Sequence, residues 1–202
     1  MMTVAAGVFI ITLFISKFGQ TGVSAFGIAT RIEQMVLIPA TGLNIAILTL
    51  KGQNNGAGKL DRVKAAWHKS LWYGFIMMLF GTAIVLIFAR PLIVLFTADE
   101  AVIGPGIQYL RISALVFFAY VVLFTTVALP QGLKTPMYAI WIGVFRQIVA
   151  PVPVFWLLSV ALQWELLGIW WGVFFIVWRS ALFTLWYGKQ VLDNAVRGQV
   201  SV

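Results

Sequence analysis

Residues 70–89 read SLWYGFIMMLFGTAIVLIFA, twenty positions without a charged side chain. As a helix this stretch is about 30 Å long, the thickness of a bilayer's hydrocarbon core. Five further uncharged runs surround it, at residues 1–16, 34–50, 112–133, 147–164 and 166–178. A soluble domain of 202 residues has no interior for six such helices. The chain is therefore expected to be an all-α membrane protein, a bundle of six transmembrane helices. The composition agrees, with 61% hydrophobic and 10% charged residues, against about a quarter charged in soluble domains.

The expected spans are residues 1–18, 23–50, 63–89, 107–129, 137–162 and 166–188. Together they form one lobe over residues 1–190, followed by a cytoplasmic tail at 191–202. The first run is short, lacks a basic leader and has no clear cleavage site, so it does not read as a signal peptide. The chain is expected to begin inside a helix.

The net charge is +8. Lys51, Lys59, Arg62, Lys64 and Lys69 follow the second span, Lys134 follows the fourth, and Lys189 and Arg197 lie in the tail. These regions share one side of the bundle. The positive-inside rule makes that side cytoplasmic, together with both termini. The basic balance thus serves topology, and a nucleic-acid partner is not expected.

Enzymatic constellations are missing. There is no cysteine, which removes thiolate metal sites, disulfides and cysteine nucleophiles. The one histidine, His68, stands among lysines and reads as a solvated surface group. No acidic pair occurs, and the glycine-rich 52–58 segment lacks the order of a phosphate-binding loop. No enzyme activity, cofactor or metal centre is expected.

Charges inside the spans are the unusual feature. Glu33 lies about 11 residues into the second span, roughly 16 Å deep. Arg31 is slightly shallower, and Arg146 and Arg179 also sit far from loops. Each such charge costs about 2.5–3.5 kcal/mol on insertion scales, so it should face a bundle interior or a water-filled cavity. Glu33 could bind a cation or proton in competition with substrate, or it could form a structural ion pair with Arg146 or Arg179. Three arginines against one carboxylate leave acidic partners to be found, in a second lobe or a second copy. Pro39 with Gly42, and Pro151 with Pro153, are expected to interrupt their helices at kinks or gates. Trp164, Trp170, Trp171, Trp186 and Tyr187 read as interfacial anchors. The apolar segment at residues 91–97 is placed in an outer loop, residues 90–106, lying along the membrane surface.

Gly27-Ile-Ala-Thr-Arg-Ile-Glu33, then Pro39-Ala-Thr-Gly42, then Gly52-Gln53-Asn54-Asn-Gly56-Ala57-Gly58 followed by Arg62, resembles the multidrug and toxic compound extrusion (MATE) family. The resemblance lies in the order of elements in that family's eighth helix and following loop. Pro130-Gln-Gly-Leu-Lys-Thr-Pro136 adds a similar glycine-containing turn. The resemblance implies one six-helix lobe, helices seven to twelve, of a twelve-helix transporter with two pseudo-symmetric lobes. It implies export of small organic cations or drugs by Na⁺ or H⁺ antiport, with alternating access between lobes, in a bacterial inner membrane. The partner would be the N-terminal lobe or a second copy. The acidic residues that some members carry in helices seven and ten have no counterpart here, leaving Glu33 as the nominated acid. The 52–58 segment is expected to be a gating loop. The alternatives are a lipid-linked oligosaccharide flippase of related architecture and a non-transporting membrane fragment.

Overall fold

The computed structural model describes residues 2–132 and 137–200, with side chains described outside 2–3, 55, 60, 128–140 and 195–200. The described residues are helical, with no strand. The helices are α1 (Met2–Ser16), α2 (Gln20–Gly56), α3 (Leu60–Val94), α4 (Glu100–Ala114), α5 (Phe117–Gly132), α6 (Met137–Val144), α7 (Pro151–Phe155) and α8 (Glu165–Val200). Two π-helical segments, Phe145–Val149 and Trp156–Ala161, join α6, α7 and the turn into α8.

Four helical stretches are long and apolar enough to cross a membrane: Gln20–Asn54, Asp61–Val94, Trp141–Ala161 and Glu165–Asn194. Counted as one span, the bent pair α4 and α5 makes a fifth, and α1 is a shorter apolar helix beside them. α2 packs against α3, α4 and α5, and α5 packs against α8. Phe26, Ile32, Met78, Leu110, Phe117, Phe155 and Trp170 form the shared core. Large apolar side chains such as Phe80 (67% exposed), Ile87 (72%) and Trp141 (67%) face outward. That pattern is stable only where the surroundings are themselves apolar.

The chain is more continuous at the helix ends than the sequence suggests. The expected loop at 52–58 is largely helix: α2 runs to Gly56, and α3 begins at Leu60. Gly58, at φ +68°, supplies the left-handed turn between them. The family motif residues Gly52, Gln53, Asn54 and Gly56 therefore lie on the last turns of α2, with Ala57 and Gly58 in the turn. Lys51 is not a loop cation. It is buried, and its Nζ donates to the Thr125 carbonyl on α5 at 2.7 Å. The expected outer loop at 90–106 also shrinks, because α3 continues through Pro91 to Val94 after non-helical dihedrals at Phe88. Asp99 then caps α4 by accepting from the Ala101 N–H at 2.9 Å. Residues 133–136 of the Pro130–Pro136 motif lie outside the described residues.

The proline sites differ from one another. α2 runs through Pro39 as one helix, with Pro39 and Gly42 exposed. A proline removes one backbone hydrogen bond, which a long helix can absorb at a surface position. Around Pro151 and Pro153 the backbone is irregular, with i→i−5 bonds from Ala150 N–H to Phe145 O (2.8 Å) and from Leu162 N–H to Leu157 O (2.9 Å).

A second break was not foreseen. α4 and α5 meet at 48°, with Leu115 and Val116 between them and no proline or glycine at the joint. The bend leaves carbonyls without their helical donors. Thr82 on α3 donates to the Ala114 carbonyl at 3.0 Å, and the Trp178 indole on α8 donates to the Leu115 carbonyl at 3.2 Å. Both neighbours replace bonds that water cannot supply inside a membrane. Thr82→Val keeps the shape and removes one donor. It should lower stability by about 1 kcal/mol, read as a lowered Tm in detergent micelles. An unchanged Tm would show that the Ala114 carbonyl needs no side-chain donor.

Candidate functional site

Glu33 is 7% exposed in the middle of α2, with Ala29 and Ile32 of the core beside it. The Tyr109 hydroxyl on α4 donates to Glu33 Oε2 at 2.8 Å. Tyr120 on α5 lies close enough to this carboxyl group to interact with it electrostatically. The two tyrosines stand on opposite sides of the 48° bend. The bend therefore lets one broken span present two phenols to a single acid.

Aromatic rings fix the orientation. Tyr109 meets Trp170 edge-on at 4.9 Å and Phe26 edge-on at 5.4 Å, and Phe26 stacks on Trp170 at 6.0 Å. Trp170 is fully buried, so it is a core residue and not the interfacial anchor expected from sequence. Its indole N–H has no hydrogen-bond partner among the described residues.

The expected ion pair between Glu33 and Arg146 or Arg179 does not form. Among the described residues the one ion pair is Arg90–Glu100, 3.2 Å apart on the surface. Arg146 instead lies over the Tyr120 ring, its guanidinium carbon 5.9 Å from the centroid. It lines a cavity of about 190 Å³ with Asn44, whose Oδ1 is buried without a partner. Tyr120 thus stands between Glu33 and Arg146, which lines that cavity. Arg31 and Arg179 are exposed on the protein surface, away from this cluster. Helical phase explains the separation of Arg31, because positions i and i+2 point apart.

The arrangement can hold a charge or a proton at membrane depth. An ionised Glu33 accepts from Tyr109, and a protonated Glu33 can donate to a phenol oxygen. Among the described residues no group of three His, Asp or Glu side chains could hold a metal ion. His68 is exposed, as expected, and its Nδ1 lies 2.9 Å from the Lys64 carbonyl. The sequence reading missed both tyrosines. A tyrosine placed in an uncharged run, as at 120, was the available signal.

The MatE family model matches residues 1–157. The chain belongs to the MatE family. A Bacillus subtilis protein named "Probable multidrug resistance protein YoeA" is 25% identical over 79% of this chain and 34% of its own length. A Thermotoga maritima protein named "Probable multidrug resistance protein NorM" is 27% identical over 84% of this chain and 37% of its own length. A Shewanella oneidensis relative named "FAD transporter" is 27% identical over 71% of this chain and 32% of its own length. The chain thus spans about a third of these relatives. A MATE crystal structure in the bent conformation superimposes with a TM-score of 0.93 at 20% identity, covering 98% of this chain and 44% of that one. A MOP superfamily transporter from Pyrococcus furiosus superimposes at 0.88 with 20% identity, covering 96% of this chain and 44% of that one. These likenesses establish the MATE fold for this MatE chain.

Proposed function

We propose that this MatE chain supplies one lobe of a secondary active exporter of small organic cations or drugs. A second lobe, or a second copy, would complete the cleft, and the two would rock against each other around it. The observation that carries the reading is the buried Glu33 hydrogen-bonded by Tyr109, with Tyr120 nearby across the bend. Such a membrane-depth acid is a functional candidate by default. The relatives named as multidrug resistance proteins support the substrate class. Of the two coupling ions, H⁺ suits the cluster better than Na⁺. One carboxyl group and two phenols suffice for a proton, whereas Na⁺ would need more oxygens around it. By the distribution of lysines and arginines, both termini face the cytoplasm of a bacterial inner membrane.

The test is ethidium export by cells producing the whole gene product. Export that stops when an ionophore collapses the proton gradient is expected. Export that ignores both proton and Na⁺ gradients would overturn the reading.

A second reading is a flippase or carrier for anionic substrates. It is favoured by the exposed Arg31 and Arg179, which have no ion-pair partner among the described residues. The relative named "FAD transporter" is consistent with it.

A further inference from the structure

An apolar groove of about 470 Å³ lies between α3, α5 and α8. Trp72 and Phe75 line it from α3, Phe118 and Val121 from α5, and Trp178 and Leu185 from α8. His68, near the start of α3, is the one titratable side chain among its lining residues. The groove shares no residue with the Glu33, Tyr109 and Tyr120 cluster.

Both helical walls run out to a lysine at the same end of the bundle. On α3, positions 64, 68, 72 and 75 follow at steps of three or four, so Lys64 continues the stripe on which His68, Trp72 and Phe75 line the groove. On α8, Lys189 stands four residues beyond Leu185 and continues that stripe in the same way. Leu192 packs against Val63 and Trp67, which sets the end of α8 beside the start of α3. Lys64 and Lys189 are exposed, and neither has an ion-pair partner among the described residues. The acids of these two segments, Asp61 and Asp193, stand one turn further out.

Charge and length select the occupant. From Lys64 to Phe75 on α3, and from Lys189 back to Trp178 on α8, the distance is 11 residues, about 16 Å. Each wall therefore passes from a lysine to an aromatic ring over roughly half the hydrocarbon thickness, the depth of one leaflet. A partner helix crossing the membrane would need a groove about twice as long. An apolar chain with a negative headgroup fits both the length and the charge. We propose that the groove holds an anionic phospholipid of the cytoplasmic leaflet, its acyl chain along Trp72, Phe75 and Phe118 and its headgroup at Lys64 and Lys189. The leaflet follows from the orientation given above, and the site does not depend on transport.

The test is native mass spectrometry of the whole gene product in neutral detergent, with dioleoyl phosphatidylglycerol and dioleoyl phosphatidylcholine as probes. Their chains are identical, so the ratio of first-binding constants reads the headgroup. A preference of about tenfold or more for phosphatidylglycerol is expected, since each lysine near a membrane surface is worth roughly fivefold toward an anionic lipid. Lys64→Gln combined with Lys189→Gln should remove most of that preference. Arg62→Gln combined with Lys69→Gln, an exposed pair seven residues apart on another face of α3, should leave most of it. All four side chains are exposed, so unchanged Tm values are expected. Trp72→Ala should weaken both lipids in the same proportion, because it removes part of a wall and no charge. Equal binding of the two lipids by the unsubstituted protein, or an equal fall in the two double variants, would overturn the proposal. So would Trp72→Ala leaving both lipids unchanged, which is also the result expected if a second lobe is seated on the groove. Failure of ethidium export in the earlier experiment would leave these outcomes unaffected.

Discussion

Glu33→Gln should leave the protein folded and lower gradient-driven export by about tenfold or more, within the roughly 5–150-fold range typical of coupled sites. Glutamine matches glutamate in shape. Its oxygen can still accept from Tyr109, whose hydroxyl now lies 2.8 Å from Glu33 Oε2. What it loses is the ability to change charge. Antiport requires the ion and the substrate to compete through a group with two states, and the substituted amide would have one. Downhill movement of ethidium, which needs no ion exchange, should persist. The measurement is initial export rate with and without an imposed gradient, alongside a micellar Tm. Full gradient dependence in Glu33→Gln would remove Glu33 from coupling and leave it a structural acid. Loss of both modes of movement with a lowered Tm would likewise assign it to structure.

Gly168→Val should be the most destabilising single change, at about 3 kcal/mol, the upper end of overpacking costs. A Cβ at Gly168 would stand 2.6 Å from the carbonyl carbon and oxygen of Leu158 and 2.7 Å from the Ser159 nitrogen. Those are backbone atoms, which cannot rotate away. The close approach follows from the reversal just before α8, where Gln163 and Glu165 adopt φ of 55° and 49°. That turn lays the start of α8 directly on the Trp156–Ala161 segment. Gly172, one turn later, meets a different neighbour: its Cβ would stand 2.7 Å from the Phe155 ring. A ring can shift, so Gly172→Ala should cost less than Gly168→Ala. At both sites alanine gains up to about 1 kcal/mol of helix propensity, which offsets part of the clash. Thermal unfolding of the three variants in one detergent checks the order. Equal Tm values for Gly168→Ala and Gly172→Ala would show that the backbone contact is looser than described.

Several features of the fold were legible in the residues. Uncharged runs such as residues 70–89 place helices in a membrane because transfer of apolar surface is a sum over composition, independent of what packs where. The segment from Gly27 to Arg62 carried the family. Glu33 stood out because a lone carboxylate at depth is expensive wherever the helix faces.

The partners of these residues were decided by the tertiary structure. Sequence left Glu33 between an arginine pair and an ion site, and the folded chain gave it two tyrosines, Tyr109 and Tyr120, from positions 76 and 87 residues away. Lys51 read as a loop cation until the length of α2 turned it onto the Thr125 carbonyl. The break at Leu115 and Val116 carries no local signal. Thr82 and Trp178, on two other helices, supply donors to the carbonyls at the bend. Conversely, Pro39 carried a strong local signal, and α2 runs through it. Composition and periodicity determine which segments enter the membrane, since each residue contributes to that energy separately. Hydrogen-bond pairing inside it depends on which helices meet and at what rotation, and that is set only when the bundle closes.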